Sequence, residues 1–415
     1  MRFLWWCALL VCAPLNLKGQ MQMGGPVSTL KENVMRHSSS GTSLEPDSSV
    51  PPMLMHMSGK WMEMLHGQAN VAEQQQTGPR GDDKLFSVNW AMMMAQRTTT
   101  HGQWTLVSML SLEPATITGR YYPELFQQGE TAFGKAIIDG QHPHDLFMEL
   151  AAIYDLNLGE RGVSTFYVAP VGDPSLGPVA FPHRMSAESD PLAPLAHHLQ
   201  DSTHIACDVV TGGLTYGPAR IEASGFHGRE PGENRWTIEA GAVDSWSSRL
   251  TAALGKDWIA QYSVGHLHSP EALHPQEDVL RQTASVSVHH TWTAANIDAT
   301  AVWGRNHTIG TDVNANGYLL EAETRLRARQ SIWTRIENDD RTTDLLGAEA
   351  PPEESVVGRV QAYTAGYAHR IFKSNWSALE LGAQCTLYTT PPRLLALYGS
   401  HPVGVAALLH WRIGK

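Results

Sequence analysis

Cysteine is scarce: four occur in 415 residues, two of them within the first twelve. That excludes a disulfide-built scaffold. Positive charge is thin and scattered, with 30 Lys+Arg against 41 Asp+Glu, a formal net charge of −11 and no basic run of five. Neutralising a phosphate backbone needs clustered Lys and Arg, so a nucleic-acid partner is excluded. Long apolar runs are missing too. Beyond the N-terminus no stretch reaches the roughly 18 residues of a membrane-crossing helix. What the chain does have is 36 glycines, 13 tryptophans, 20 histidines and a hydrophobic fraction of 42%.

The N-terminus speaks to the compartment. Arg2 followed by the apolar run Phe3 to Leu15 is the charged start and short greasy core of a secretory signal peptide. Residues 1–19 are read as that peptide, with cleavage near Gly19-Gln20. Lipid attachment at Cys12 is the alternative, and the bulky Val11 before it counts against that. Cys207 and Cys385 then remain, in separate strand-like segments, and no bridge between them is expected. Residues 20–58 carry Ser, Gly, Pro and Met without usable periodicity and read as a flexible periplasmic leader.

From residue 59 to 415 the period is two. In Tyr318 to Ala328, Leu319, Glu321, Glu323, Arg325 and Arg327 alternate with Tyr318, Leu320, Ala322, Thr324, Leu326 and Ala328. A helix would scatter these charges around its circumference, whereas a strand puts them on one face. Sixteen such runs emerge between turn residues: 60–72, 84–97, 103–113, 146–157, 162–170, 203–216, 218–227, 245–253, 258–267, 282–291, 296–304, 316–328, 331–337, 359–370, 376–388 and 402–413. Short gaps, as at Thr99 to Gly102 and Gly159 to Gly162, alternate with long ones such as 114–145 and 171–202. One architecture requires this. A closed antiparallel transmembrane β-barrel has tight periplasmic turns at one rim and long extracellular loops at the other, and it must close because every backbone group in lipid needs a partner. A soluble all-β protein is the alternative; a propeller among these would repeat every 40–50 residues or so, and no such repeat is found. About sixteen strands are expected, within a range of 12–18, and sixteen would leave an aqueous bore.

In this pattern of runs and gaps the chain resembles Gram-negative outer-membrane β-barrels, the porin-like proteins. The resemblance is architectural and covers residues 59–415. It implies an outer-membrane location, lipid as a partner, and a channel for a small polar solute or ion. The last run, 402–413, departs from the pattern because it does not end in a terminal aromatic residue.

Two sets of side chains carry the chemistry. Glu321, Glu323, Arg325, Arg327, Arg335, Glu337 and Arg359 are expected on one lumen wall, where opposed charges would set ion preference or pair with each other to fill the barrel. Histidines and carboxylates gather at the long-loop rim: His142, His144, Asp145, His197, His198, His204, His227, His266 and His268. Imidazole with carboxylate suits Zn²⁺, Cu²⁺ or Ni²⁺, although the spacing matches no fixed zinc pattern. The Met-His-rich stretch Met53 to Met57, then Met62 and Met64 near His66, offers soft thioethers that favour Cu(I). In this respect it resembles the leaders of outer-membrane copper-resistance proteins, which makes a copper- or heavy-metal-binding barrel the second reading. Met92 to Met94 is expected to face lipid. A third reading, an outer-membrane hydrolase, would use Ser202 beside His204; no Gly-x-Ser-x-Gly turn supports it, and no catalytic residue is assigned.

Overall fold

A computed structural model describes residue 27 and residues 29–350 and 354–414; the expected signal peptide at 1–19 lies outside the described residues. One antiparallel sheet holds seventeen strands. Sixteen of them form the wall: β1 (Trp61–Gln76), β2 (Asp83–Thr98), β3 (Gly102–Leu110), β4 (Phe147–Asn157), β5 (Gly162–Gly172), β6 (Ala206–Tyr216), β7 (Ala219–His227), β8 (Ser245–Ala253), β9 (Trp258–Leu267), β10 (Val279–Thr291), β11 (Ala295–Thr308), β12 (Asn314–Leu326), β13 (Gln330–Thr342), β14 (Val356–Lys373), β15 (Ser377–Thr389) and β16 (Val403–Ile413). Each pairs with its neighbour in sequence, and β16 closes on β1 from Gly67↔Ile413 to Gln76↔Gly404. The chain is a closed sixteen-stranded transmembrane β-barrel. The seventeenth strand, Leu54–Ser58, folds back on the first residues of β1 and continues the edge that β16 leaves at Ile413.

Every expected run is a strand. Two expected long gaps, 73–83 and 305–315, contract to 77–82 and 309–313 because β1 and β11 run several residues further than their apolar pattern. The alternation reads directly as burial: Leu85, Leu106, Val168, Leu214, Ile221 and Leu320 stand exposed on the outer face. Trp104, Tyr216, Trp258, Trp292, Trp376 and Trp411 lie exposed at the short-turn rim, the aromatic girdle of a membrane barrel. Trp411 therefore sits in the girdle although the chain runs past it.

The lumen is occupied by the chain itself. Residues 29–53, expected to be a flexible leader, enter from the short-turn side with a helix, Leu30–Arg36, capped by Thr29. They run buried along the inner wall. The leader is ordered because its polar side chains meet lumen-facing partners far away in sequence: His37 Nε2 lies 2.6 Å from Asp155 Oδ2, and Ser40 Oγ donates to Asp173 at 2.9 Å. The Gly41 N–H donates to Glu149 at 3.1 Å, and Arg249 donates to Thr42 Oγ1 at 3.0 Å. Met92 and Met94, expected to face lipid, point into the lumen at 1% and 3% exposure. In an alternating strand two of three consecutive methionines share a face, and here only Met93 turns outward.

Candidate functional site: a filled lumen and a histidine rim

The loop 173–205 descends into the barrel from the long-loop rim and is buried almost throughout. It is bound by charge. Arg184 Nε meets Glu321 Oε1 at 2.5 Å and Arg335 Nε meets Glu321 Oε2 at 3.1 Å, so one carboxylate on β12 holds two guanidiniums. Arg335 also reaches Asp190 at 3.1 Å, and Arg184 reaches Asp201 at 3.4 Å. Ser189 donates to Glu323 through both its N–H and its hydroxyl at 2.8 Å, and the Leu195 N–H donates to Glu337 at 2.6 Å. Glu45 of the leader accepts from the Met185 N–H at 3.0 Å, joining the two inserted segments.

This places the expected pore-lining residues. Glu321, Glu323, Arg335 and Glu337 face inward, but they anchor the inserted loop instead of bordering water. Arg325 pairs with Glu323 and with Glu188 of the loop. Two expectations are corrected. Arg327 lies exposed in the β12–β13 turn with φ of 48°, so strand alternation no longer governs it. Arg359 is exposed on the outer face, because the inward positions of β14 are the even ones, Val360, Ala362 and Thr364, so alternation itself turns 359 outward. It pairs with Asp340 at 2.9 Å over the Tyr318 ring.

The histidines divide into groups. His142 Nε2 lies 2.8 Å from Glu130 Oε1, and His198 Nδ1 lies 3.5 Å from Glu230 Oε2. Donor atoms of Glu130, His142 and His198 all fall within 4.8 Å of one another, a geometry that would hold a divalent ion. Burial pushes the Glu130 carboxyl up to about 8 and, with Arg235 and His198, holds His142 well below its ordinary range. The other Glu130 oxygen accepts from Arg235 at 3.0 Å. Burial works against charge on Glu230 as well, but His198 and Arg281 hold that carboxyl well below its usual range.

His144, His197 and His204 form an adjoining stack. His144 Nδ1 meets Glu113 at 2.9 Å, His197 Nδ1 meets Asp201 at 2.7 Å, and His204 Nδ1 meets the Asp201 carbonyl at 2.8 Å. The expected ligands Asp145, His227, His266 and His268 are not brought to this group. Asp145 lies beside Arg235 at 3.6 Å, and His227 meets Asp244 at 3.1 Å. His266 and His268 share Asp278 at 3.3 and 2.8 Å.

Sequence reasoning missed Glu130 beside His142 and His198, Glu230 as the partner of His198, and a second carboxylate–histidine group of Glu271, His274 and Asp344. Glu271 and His274 share one loop, but Asp344 joins them, and His198 joins Glu130, only from another loop, so spacing carries no signal for either complete group. A cavity of about 50 Å³ lined by His198, Glu271 and His274 lies between the two groups. Ser202 and His204 do not pair as nucleophile and base: the Ser202 hydroxyl donates to Glu230 at 2.6 Å and accepts from Arg281 at 2.8 Å.

No protein-family model matches the chain, and no curated protein matches it. Solved structures do. The anion-selective porin from Comamonas acidovorans superposes with a TM-score of 0.53 at 11% identity, over 85% of this chain and 99% of that one. This chain has the porin fold. The outer membrane channel DcaP of Acinetobacter baumannii gives 0.47 at 8% identity, over 85% and 98%. OmpF of Salmonella typhi, in complex with daunomycin, gives 0.48 at 9%, over 86% and 100%. At such identities the likeness is one of fold. In this porin fold the bore holds residues 29–53 and 173–205.

Proposed function

We propose that the protein is a gated outer-membrane transport barrel for small polar solutes or ions. The observation that carries this reading is the way the bore is filled. Sixteen strands enclose a space wide enough for an aqueous channel, and two inserted segments fill it, held mainly by hydrogen bonds and ion pairs at Asp155, Glu149, Glu321, Glu323 and Glu337. Such contacts exchange readily with water once a segment moves, whereas an apolar core would not. The leader closes the periplasmic side and loop 173–205 the extracellular side. Glu130, His142 and His198 stand at the extracellular entry, with ligand atoms close enough together to hold a divalent cation.

Two experiments test this reading. Proteoliposomes carrying the full chain should stay tight to a small sugar and to chloride, and those carrying Glu321→Ala should leak; equal tightness of both overturns gating by loop 173–205. Calorimetric titration with Zn²⁺ and Cu²⁺ should give one rim site that His142→Gln/His198→Gln abolishes. Heat that is unchanged in that variant removes the Glu130–His142–His198 group from the account.

A further inference from the structure

The register of the first four wall strands places an unusual set of side chains in one lumen-facing row. His66 on β1 lies opposite Met92 on β2, and Met92 lies opposite Met109 on β3. One step toward the short-turn rim, Met64 lies opposite Met94. The strand Leu54–Ser58 extends the ladder, with Met55 opposite Met64 and Met57 opposite Met62. Met64, Met92, Met109 and Met148 are at most 3% exposed, while Met57, at the mouth, is 44% exposed. Loop 173–205 lays His183 over this row. Its Nε2 lies 3.0 Å from Met109 Sδ, and His66 Nε2 lies 3.2 Å from Met92 Sδ.

The row continues toward the long-loop rim through imidazoles. His144 and His204 rings are 5.4 Å apart, His204 and His197 5.3 Å, His197 and His198 5.3 Å, and His198 and His142 6.1 Å. Packing alone does not account for the set. Methionine fills irregular gaps, but a gap needs no buried imidazole. A buried polar atom without a partner costs about 1–3 kcal/mol, and both His204 Nε2 and Trp90 Nε1 are such atoms. Trp90 stacks on His183 with ring centroids 4.2 Å apart. Hard cations require oxygen ligands, and the contacts at His66, Met92, Met109 and His183 are between sulfur and imidazole nitrogen. Thioether sulfur together with imidazole nitrogen selects soft d¹⁰ monovalent ions.

We infer that this column binds and passes a soft monovalent cation, Cu(I) or its analogue Ag(I), between the histidine rim and the methionine mouth at Met57. Movement along it is ligand exchange, thioether for imidazole, with no change of oxidation state. The transfer rests on the transport reading above; the binding site at His66, Met92, Met109 and His183 stands without it.

The test uses the full chain in detergent under anaerobic conditions, titrated with Cu(I) against a chromophoric Cu(I) chelator and separately with Ag(I). The folded protein is expected to compete for Cu(I), and Ag(I) is expected to quench tryptophan emission through Trp90. Met92→Leu/Met109→Leu, which conserves volume, is expected to weaken Cu(I) binding by about tenfold or more while leaving Zn²⁺ binding at the rim intact. The single variant Met109→Leu, which should weaken Cu(I) binding in the same direction, serves if the double variant does not fold. The inference is overturned if the folded wild type binds no Cu(I), or if the leucine variants bind it as tightly as wild type. Tight Cu(I) binding by a chain that never conducts would sustain the site and remove only the transfer.

Discussion

At the residue scale, Glu321 is the most consequential charge in the lumen, because among the described residues it alone meets both Arg184 of the inserted loop and Arg335 of the wall. Removing one partner of a buried ion pair costs about 3–5 kcal/mol. Glu321→Ala is therefore expected to lower stability by about that much in denaturant titration and to expose loop 173–205 to protease. Arg359→Ala removes an ion pair whose guanidinium is exposed on the outer face; with its solvent screening the loss is roughly 0–1 kcal/mol, and both measurements should stay unchanged. The contrast also marks what the sequence discloses at this scale. Strict alternation is enough to turn Glu321, Glu323, Arg335 and Glu337 inward, but it fails where alternation ends. A turn takes Arg327 out of phase, while Arg359 keeps the phase of β14 and stands on its outward, odd-numbered face.

At the element scale the leader is the main departure from the sequence reading. Ser, Gly and Pro without hydrophobic period describe a chain that cannot build its own core, and residues 29–53 indeed borrow one. Their wall partners run from Gln96, 60 residues from Arg36, to Asp298, 249 residues from Ser49, so no local pattern records them. Glu45 gives this element a pH dependence. Burial, with added repulsion from Asp298 and Glu321 that outweighs Arg184, pushes its carboxyl from an ordinary value of 4.5 up to about 7. The docked leader thus keeps a proton that the undocked one loses. Its contribution to docking is full below pH 4.5 and is lost as pH rises through 7. Cleavage of the leader by a protease active over this range should accelerate from pH 5 to pH 8 relative to an unstructured control peptide. Glu45→Gln should flatten that rise; an unchanged profile would assign the pH dependence elsewhere.

At the scale of the whole molecule, the architecture was the most legible feature, because closure in lipid constrains every strand at once. All sixteen runs, their antiparallel order and the girdle of tryptophans follow from period two and gap length. The filling of the bore did not follow, since sixteen strands fix a diameter and say nothing of what enters it. The rim site was half legible: His142 and His198 stood among the candidates, while Glu130 and Glu230 join them only through the folding of three separate loops. Single-channel recording in a planar bilayer tests the closed-lumen account most directly. The full chain should be silent at neutral pH, and a chain lacking residues 29–53 and carrying Glu321→Ala should give discrete conductance steps of a sixteen-stranded pore. Steady open steps from the unaltered chain, or silence from the altered one when it is folded and inserted, would contradict it.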